Sequence, residues 1–437
     1  MNIENKTAMI SLISEQAIPN VMAPLLVSPL PEKIICILPK DTDNPSQIDK
    51  DYERVYQGIE SALSQICRNT NNAICMDIQA GETVLPYELN EIKEACRRER
   101  ERCSSEGYTV IYNITGGTKI MAQAALADAK QGNCRVVYVD TESRQLIEIH
   151  PEFEAGNRFQ EDKLRVIDVK HYLAAYGLGL RIFKGQQAGY SGSQKEIAEH
   201  FKEAACLIAM HKEGPNLVKK LFKTNEGKDK TYSKILNEFE LSTSQRVLLE
   251  EVVITLNKGL NSISIQGDEL AIYADGDLYK FWWENCWLEW YTFSVIEDLH
   301  MKPVTDWKYN LPWNDVKFTW DGSHSPLIDN QLDVAATRGG RLLICECKTG
   351  SGVTESEHLF QLSTIGKRLG AFADLVYVTD YPDLGNPFSR HEKAKKQSVR
   401  ALALDILIVG LEQLPYLASY LQEPDKWLRK QKRQFGL

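Results

Sequence analysis

The stretch from Asn330 to Thr349 constrains this chain more than any other. It reads Asn330-Gln-Leu-Asp333-Val-Ala-Ala-Thr-Arg-Gly339-Gly340-Arg-Leu-Leu-Ile-Cys-Glu346-Cys-Lys348-Thr, two apolar runs on either side of a glycine pair. A two-residue hairpin turn needs positive φ, which glycine adopts without steric penalty. A turn centred on Gly339-Gly340 fixes the register of both strands. Arg338 then faces Arg341 and Asp333 faces Glu346, with Cβ atoms roughly 4.5–5.5 Å apart. Lys348 lies two residues beyond Glu346 and shares its face. The opposite face pairs Val334 with Cys345 and Leu332 with Cys347, so the ribbon is predicted to be buried.

Two carboxylates this close repel, and one pKa rises unless a cation lies between them. A divalent ion resolves the conflict. Two carboxylates with water completing the shell suit Mg²⁺ or Mn²⁺ better than Zn²⁺. Such an ion polarises a phosphoryl oxygen and acidifies bound water, and Lys348 positions that water or neutralises developing charge. The competing explanation is a structural charge cluster, but buried charges cost several kcal/mol unless paired. Function is the better account of three of them on a Leu/Ile/Val/Cys ribbon.

Asp333…Glu346-Cys-Lys348 resembles the motif of the PD-(D/E)XK nuclease superfamily, with Leu332 where the family name has Pro. The resemblance implies a restriction-endonuclease-like α/β domain with Asp333, Glu346 and Lys348 as catalytic residues. It implies a metal set of Asp333, Glu346 and Cys347. Glu289, in the Trp287-Leu-Glu-Trp-Tyr291 helix, matches the acidic helix that often precedes the core. Gln361, on the helix after the Glu346 strand, matches a position where such nucleases often carry Gln.

At the other end of the chain, strands and helices alternate. Ala8–Ile13, Lys33–Leu38, Ala73–Ile78, Tyr108–Ile114 and Cys134–Asp140 read as strands. Tyr52–Cys67, Tyr87–Cys103 and Thr118–Gln131 read as helices, and Gln145–Ile149 as a short hairpin strand. This spacing predicts right-handed crossovers and a doubly wound, largely parallel sheet. Asn113-Ile-Thr115-Gly116-Gly117-Thr118-Lys119 joins a strand to a helix. It is neither a Walker loop nor a dinucleotide fingerprint. It still offers close backbone approach, free helix N–H groups, a hydroxyl and a charge to a phosphate. Ser14-Glu15-Gln16 ends the first strand, at the sheet edge where ligands bind.

The segment 113–122, Asn-Ile-Thr-Gly-Gly-Thr-Lys-Ile-Met-Ala, resembles the signature of CARF domains, the cyclic-oligoadenylate sensors of type III CRISPR defence. With the C-terminal motif, the order resembles a CARF-nuclease. The resemblance implies a Rossmann-like domain with Ser14, Gln16, Thr115, Gly116, Gly117, Thr118 and Lys119 lining the activator site. It implies a homodimer holding one cyclic tetra-adenylate across its two-fold axis. It also implies metal-dependent cleavage of single-stranded RNA or DNA, and nicking of duplex DNA. The expected organisation is a sensing domain over 1–160, a linker and mainly helical region over 161–280, and a nuclease domain over 281–437. In the middle region Ile197, Phe201, Ala204, Ala205 and Ile208 fit one helical stripe, and a winged helix is a second option. The rival function is a ligand-sensing DNA-binding regulator with a degenerate nuclease domain.

Composition narrows this little further. The 437 residues suit about three domains at roughly 150 residues each. A net charge of −9 excludes a protein that coats nucleic acid by charge alone. Local basic segments remain, at Arg390–Arg400 and Lys426–Arg433. The ten cysteines contain no Cys-x-x-Cys pair and read as small buried hydrophobes in a reducing compartment. The N-terminus has no signal-peptide pattern, and no apolar run approaches the ~18–20 residues of a membrane span. A cytoplasmic protein without membrane partners is expected.

Overall fold

A computed structural model gives the fold. It describes residues 6–70, 74–151, 154–184, 193–222, 231–260, 263–273, 281–282, 284, 286–302, 308–319, 330–350, 353, 355–370 and 373–437. Asp275-Gly-Asp277, Trp283 and residues 185–192 lie outside them.

The N-terminal unit alternates β1 (Thr7–Leu12), α1 (Ile18–Leu26), β2 (Lys33–Pro39), α2 (Lys50–Asn69), β3 (Asp77–Val84), α3 (Leu89–Ser105), β4 (Thr109–Asn113), α4 (Lys119–Gln131) and β5 (Arg135–Asp140). Two antiparallel strands follow, β6 (Gln145–His150) and β7 (Glu154–Arg158), then the helices α5 (Glu161–Leu164) and α6 (Val169–Ala175). The sheet order is β3-β2-β1-β4-β5-β6-β7, parallel from β3 to β5. β1 lies centrally and is buried along its whole length, as a parallel strand covered on both faces must be. α2 shows the residue pattern that makes it a helix. Asp49 caps it by accepting from the Asp51 N–H, and Val55, Ile59, Ala62, Leu63 and Ile66 recur on its buried face.

The next strand, β8 (Gly179–Lys184), leaves this unit. It pairs antiparallel with β12 (Trp313–Thr319) and forms the outer strand of the C-terminal sheet. Between them lies a middle unit: α7 (Ser193–Met210), α8 (Gly214–Leu221), β9 (Thr231–Ile235), a short 3₁₀ turn, α9 (Thr243–Leu260), β10 (Ile263–Gln266) and β11 (Glu269–Tyr273). Its small sheet has the order β10-β11-β9, so this part of the mainly helical region is a winged-helix arrangement. The exposed side of α9 carries Val247, Glu250, Glu251 and Ile254, with a single exposed lysine, Lys258, facing Glu203. Arg246 on α9 is held by Asp268 and the Gly267 carbonyl in the β10–β11 turn. That face does not have the basic character a phosphate-reading helix requires.

The C-terminal unit has α10 (Trp287–Met301), β12, β13 (Asn330–Arg338), β14 (Arg341–Lys348), α11 (Ser356–Arg368), β15 (Ala373–Thr379), α12 (Glu392–Ala403), β16 (Ile406–Val409), α13 (Leu417–Gln422) and α14 (Pro424–Phe435). The sheet order is β16-β15-β14-β13-β12-β8. The apolar run 401–409 divides at Asp405, whose φ of 60° is in the left-handed region, so its first part is helix and its second strand. Gly339 and Gly340 both have positive φ, 54° and 78°. The hairpin has the register read from the sequence, Arg338 with Arg341 and Val334 with Cys345.

The two large units share one apolar core. Met22, Ile59 and Tyr172 of the first belong to the same buried cluster as Leu342, Ile344, Leu359 and Leu375 of the second. A side chain at Gly340, in the hairpin turn, would run into the Met22 thioether on α1. The Tyr172 hydroxyl donates to the Leu369 carbonyl at 3.0 Å. All ten cysteines are free. Among the described residues no helix is long and apolar enough to cross a membrane.

Candidate active site

The end of the hairpin remote from its turn carries the charges. Lys348, last residue of β14, places its ammonium 2.6 Å from Glu346 Oε1 and 3.1 Å from Asp333 Oδ2. The same Asp333 oxygen accepts the Cys347 main-chain N–H at 2.8 Å. Lys348 also donates to the Cys347 carbonyl at 3.3 Å. The Cys347 thiol is turned the other way, 3.5 Å from the Thr292 hydroxyl, and burial raises its pKa. Of the two atoms Cys347 has for a metal, the thiol faces Thr292 and the carbonyl oxygen lies on the Lys348 side.

Glu289 on α10 joins the cluster. Burial raises its pKa well above the usual carboxylate range, and the Asp333 charge adds to this. Glu346 is pushed up to about 7, again by burial and then by Asp333, against the pull of Lys348. Burial would lower the Lys348 pKa, but Asp333 and Glu346 together outweigh it and raise it. Asp315 on β12 was not legible in the sequence. The β12–β13 register places it across from Asp333. It adds to the negative field on Glu289, and its buried Oδ1, without a hydrogen bond, lies 3.7 Å from the Lys317 ammonium.

Asp333 and Glu346 thus meet at the Lys348 ammonium, with Glu289 beside them and Asp315 paired with Lys317 at 3.7 Å. No set of three His, Cys, Asp or Glu side chains among the described residues is already spaced to hold a metal. The donor chemistry nevertheless fits a hard divalent cation: Asp333, Glu346 and the Cys347 carbonyl supply oxygens, and negative charge is in excess. Gln361 does not join them. It is exposed on α11, and no hydrogen bond ties it to the cluster among the described residues.

With divalent ions chelated, Glu346 gives a signed pH effect. The native carboxyl holds its proton to about pH 7, longer than in the unfolded chain, so stability falls as pH rises from the ordinary carboxylate range towards 7. Glu346→Gln is expected to flatten that decline in thermal melts between about pH 5.5 and about pH 7.5. An unchanged slope would remove Glu346 from the buried cluster.

The glycine loop of the first unit is built on Asn113. Its Nδ2 donates to Asn20 Oδ1 at 2.9 Å, while its Oδ1 accepts the Thr115 N–H and hydroxyl at 3.1 and 2.6 Å. The Thr115 hydroxyl accepts from the Val139 N–H. Thr118 caps α4 by accepting from the Met121 N–H, and its hydroxyl donates to the Pro86 carbonyl. Both hydroxyls are therefore committed to the protein. What the loop presents is main chain, together with Lys119, exposed in the first turn of α4. A Cβ at Gly116 would fall on the Leu12 carbonyl oxygen, and Gly117 needs its φ of 73°. Ser14 and Gln16 are half-buried. Gln16 lies against the second unit, where a Cβ at Gly370 would come within 2.8 Å of its Oε1.

The tryptophans around α10 and the basic segment differ in exposure. Trp282 and Trp287 are buried core, and Trp290 stacks on Phe201 at 5.6 Å. Arg390, Lys393, Lys395, Lys396 and Arg400 are exposed along and just before α12.

Comparisons with known proteins follow this division. Residues 8–172 match the family model described as Card1 CARF domain. Residues 280–428 match the model described as Card1-like, endonuclease domain. Protein VC1899 from Vibrio cholerae has a similar crystal structure, at 20% identity and a TM-score of 0.69, over 97% of this chain and 98% of that one. Can2 from Sulfobacillus thermosulfidooxidans, solved in complex with cyclic tetra-adenylate, aligns at 19% identity and a TM-score of 0.61, over 96% of each chain. No curated protein matched. The two structures share the fold from end to end, and the two family matches in this order place the chain among the CARF-domain endonucleases, a Card1 CARF domain joined to a Card1-like endonuclease domain.

Proposed function

We propose that this chain is a nuclease of type III CRISPR antiviral defence, switched on by a cyclic oligoadenylate. Its substrate is single-stranded RNA or DNA, with nicking of duplex DNA besides, and its metal is Mg²⁺ or Mn²⁺. The observation that carries the reading is the convergence of Asp333, Glu346 and Lys348 at the end of the hairpin, with Glu289 beside them. Asp333, Glu346 and the Cys347 carbonyl would hold the cation. When bound, it supplies Lewis acidity towards the phosphate and a more acidic water. Lys348 remains an ammonium at neutral pH, so it acts by charge and hydrogen bonding on the phosphate, not as a base. The exposed cations along α12 give the nucleic acid a phosphate track.

For the activator, a ring with two-fold symmetry suits two glycine loops facing across a dimer axis. Cyclic tetra-adenylate is the ring proposed, and Can2 was solved with it. Binding reaches the nuclease through the shared core, since α1 begins just after Ser14–Gln16 and presses Met22 on the hairpin turn.

The test is cleavage with Mn²⁺, comparing cyclic tetra-adenylate, cyclic hexa-adenylate and no ring, on single- and double-stranded substrates. Cleavage is expected with the tetra-adenylate and single strands. Equal rates with and without any ring would end the sensor reading.

A further inference from the structure

Asp380 follows the last residue of β15 and is 1% exposed. β15 runs parallel to β14 with Thr379 abreast of Lys348. Asp380 therefore stands one step past the cluster's amine, at the carboxyl edge of the sheet, where open α/β folds place their chemistry. A carboxylate buried this deeply must be paired, and its partners come from two distant parts of the chain. The Gly350 N–H donates to Asp380 Oδ1 at 3.1 Å. The Lys219 ammonium lies 3.1 Å from the same oxygen and donates to the Asp380 carbonyl at 3.2 Å. Gly350 comes two residues after Lys348 and has a φ of 77°. Lys219 belongs to α8 of the middle unit, so one oxygen ties that unit to the main chain leaving the catalytic strand.

We propose that Lys219 and Asp380 are positioning residues for cleavage: the pair fixes the Thr349–Gly350 turn, and through it the approach of Lys348 to Asp333 and Glu346. The inference rests on the reading of Lys348 given under the proposed function. It makes the middle unit a wall of the nuclease site. A displacement of about 1 Å at a reacting group costs on the order of a hundredfold in rate. A single ion pair at the rim therefore has leverage beyond its own stability.

The test uses the full chain with saturating cyclic tetra-adenylate and Mn²⁺. Lys219 is one-third exposed, so its replacement does not empty a core. Lys219→Met is expected to lower kcat roughly 10- to 100-fold, as loss of a supporting partner does. KM should move by less than about twofold. Lys219→Arg should recover most of the loss, and activator affinity should not change. Combining Lys219→Met with Asp380→Asn should cost no more than the worse single variant. Amide exchange at Gly350, measured without nucleic acid, should quicken in Lys219→Met. An unchanged kcat, equal losses in the Met and Arg variants, multiplied losses in the double variant, or unaltered Gly350 exchange would each overturn the pair's role. If the parent chain does not cleave, the function reading fails, while Gly350 exchange still decides whether the pair fixes the turn.

Discussion

Glu346→Ala is expected to reduce cleavage by on the order of a thousandfold, the loss seen when one fixed electrostatic stabiliser is removed from a reacting centre. The reasoning is local. Glu346 supplies one of the two carboxylates that touch Lys348, and its oxygens form part of the donor set for the cation. Alanine leaves the amine held by Asp333 and the Cys347 carbonyl. Activator affinity should be unchanged, because the Asn113–Lys119 loop is built on a different sheet. The measurement pairs a cleavage rate with a binding isotherm for cyclic tetra-adenylate on the same preparation. Cleavage within a few-fold of the parent would discard the cluster as the catalytic centre.

The second large effect is expected at Gly116→Ala. The added methyl would meet the Leu12 carbonyl oxygen, a main-chain atom at the end of β1. A flexible side chain moves aside at little cost, but β1 is central and buried throughout. The loop must yield instead, carrying the Thr118 cap and Lys119 with it. Overpacking of this kind costs about 1–3 kcal/mol, which as affinity is roughly 5- to 150-fold. Activator binding should weaken by that factor, and the activator concentration for half-maximal cleavage should rise in parallel. The cleavage rate at saturation should remain near the parent's. Parent-like affinity would show that the glycine loop does not hold the ring.

The hairpin was legible because its information is local. Two glycines set a turn, the turn sets the register as far as Val334 and Cys345, and the next residues, Asp333 and Glu346, meet at the Lys348 ammonium. Most of the strand–helix alternation of the first 150 residues was legible for the same reason, but α1 was not, and the strand expected at Ala73–Ile78 lies further on, at Asp77–Val84. Asp315 was not, because its place depends on the pairing of β12 with β13 across intervening chain, and it adopts a positive φ of 49° that no local pattern announces. The sequence does not show that the Thr115 and Thr118 hydroxyls bond to the protein itself, at Asn113 and Val139 and at Met121 and Pro86, partners that only the folded chain supplies. Gln361 illustrates the converse, a residue type in the expected position that helix phase leaves in solvent.

The placement of β8 bears on how sensors and effectors are exchanged among such proteins. The sensor match ends at residue 172, yet the next strand, Gly179–Lys184, is stitched onto the effector's sheet. A chimera joined at the sensor's formal end would inherit a foreign strand there, or none, and leave β12 as a bare edge open to aggregation. The workable junction lies after Lys184, so the transferable cassette is the sensor together with the first ribbon of the sheet it controls.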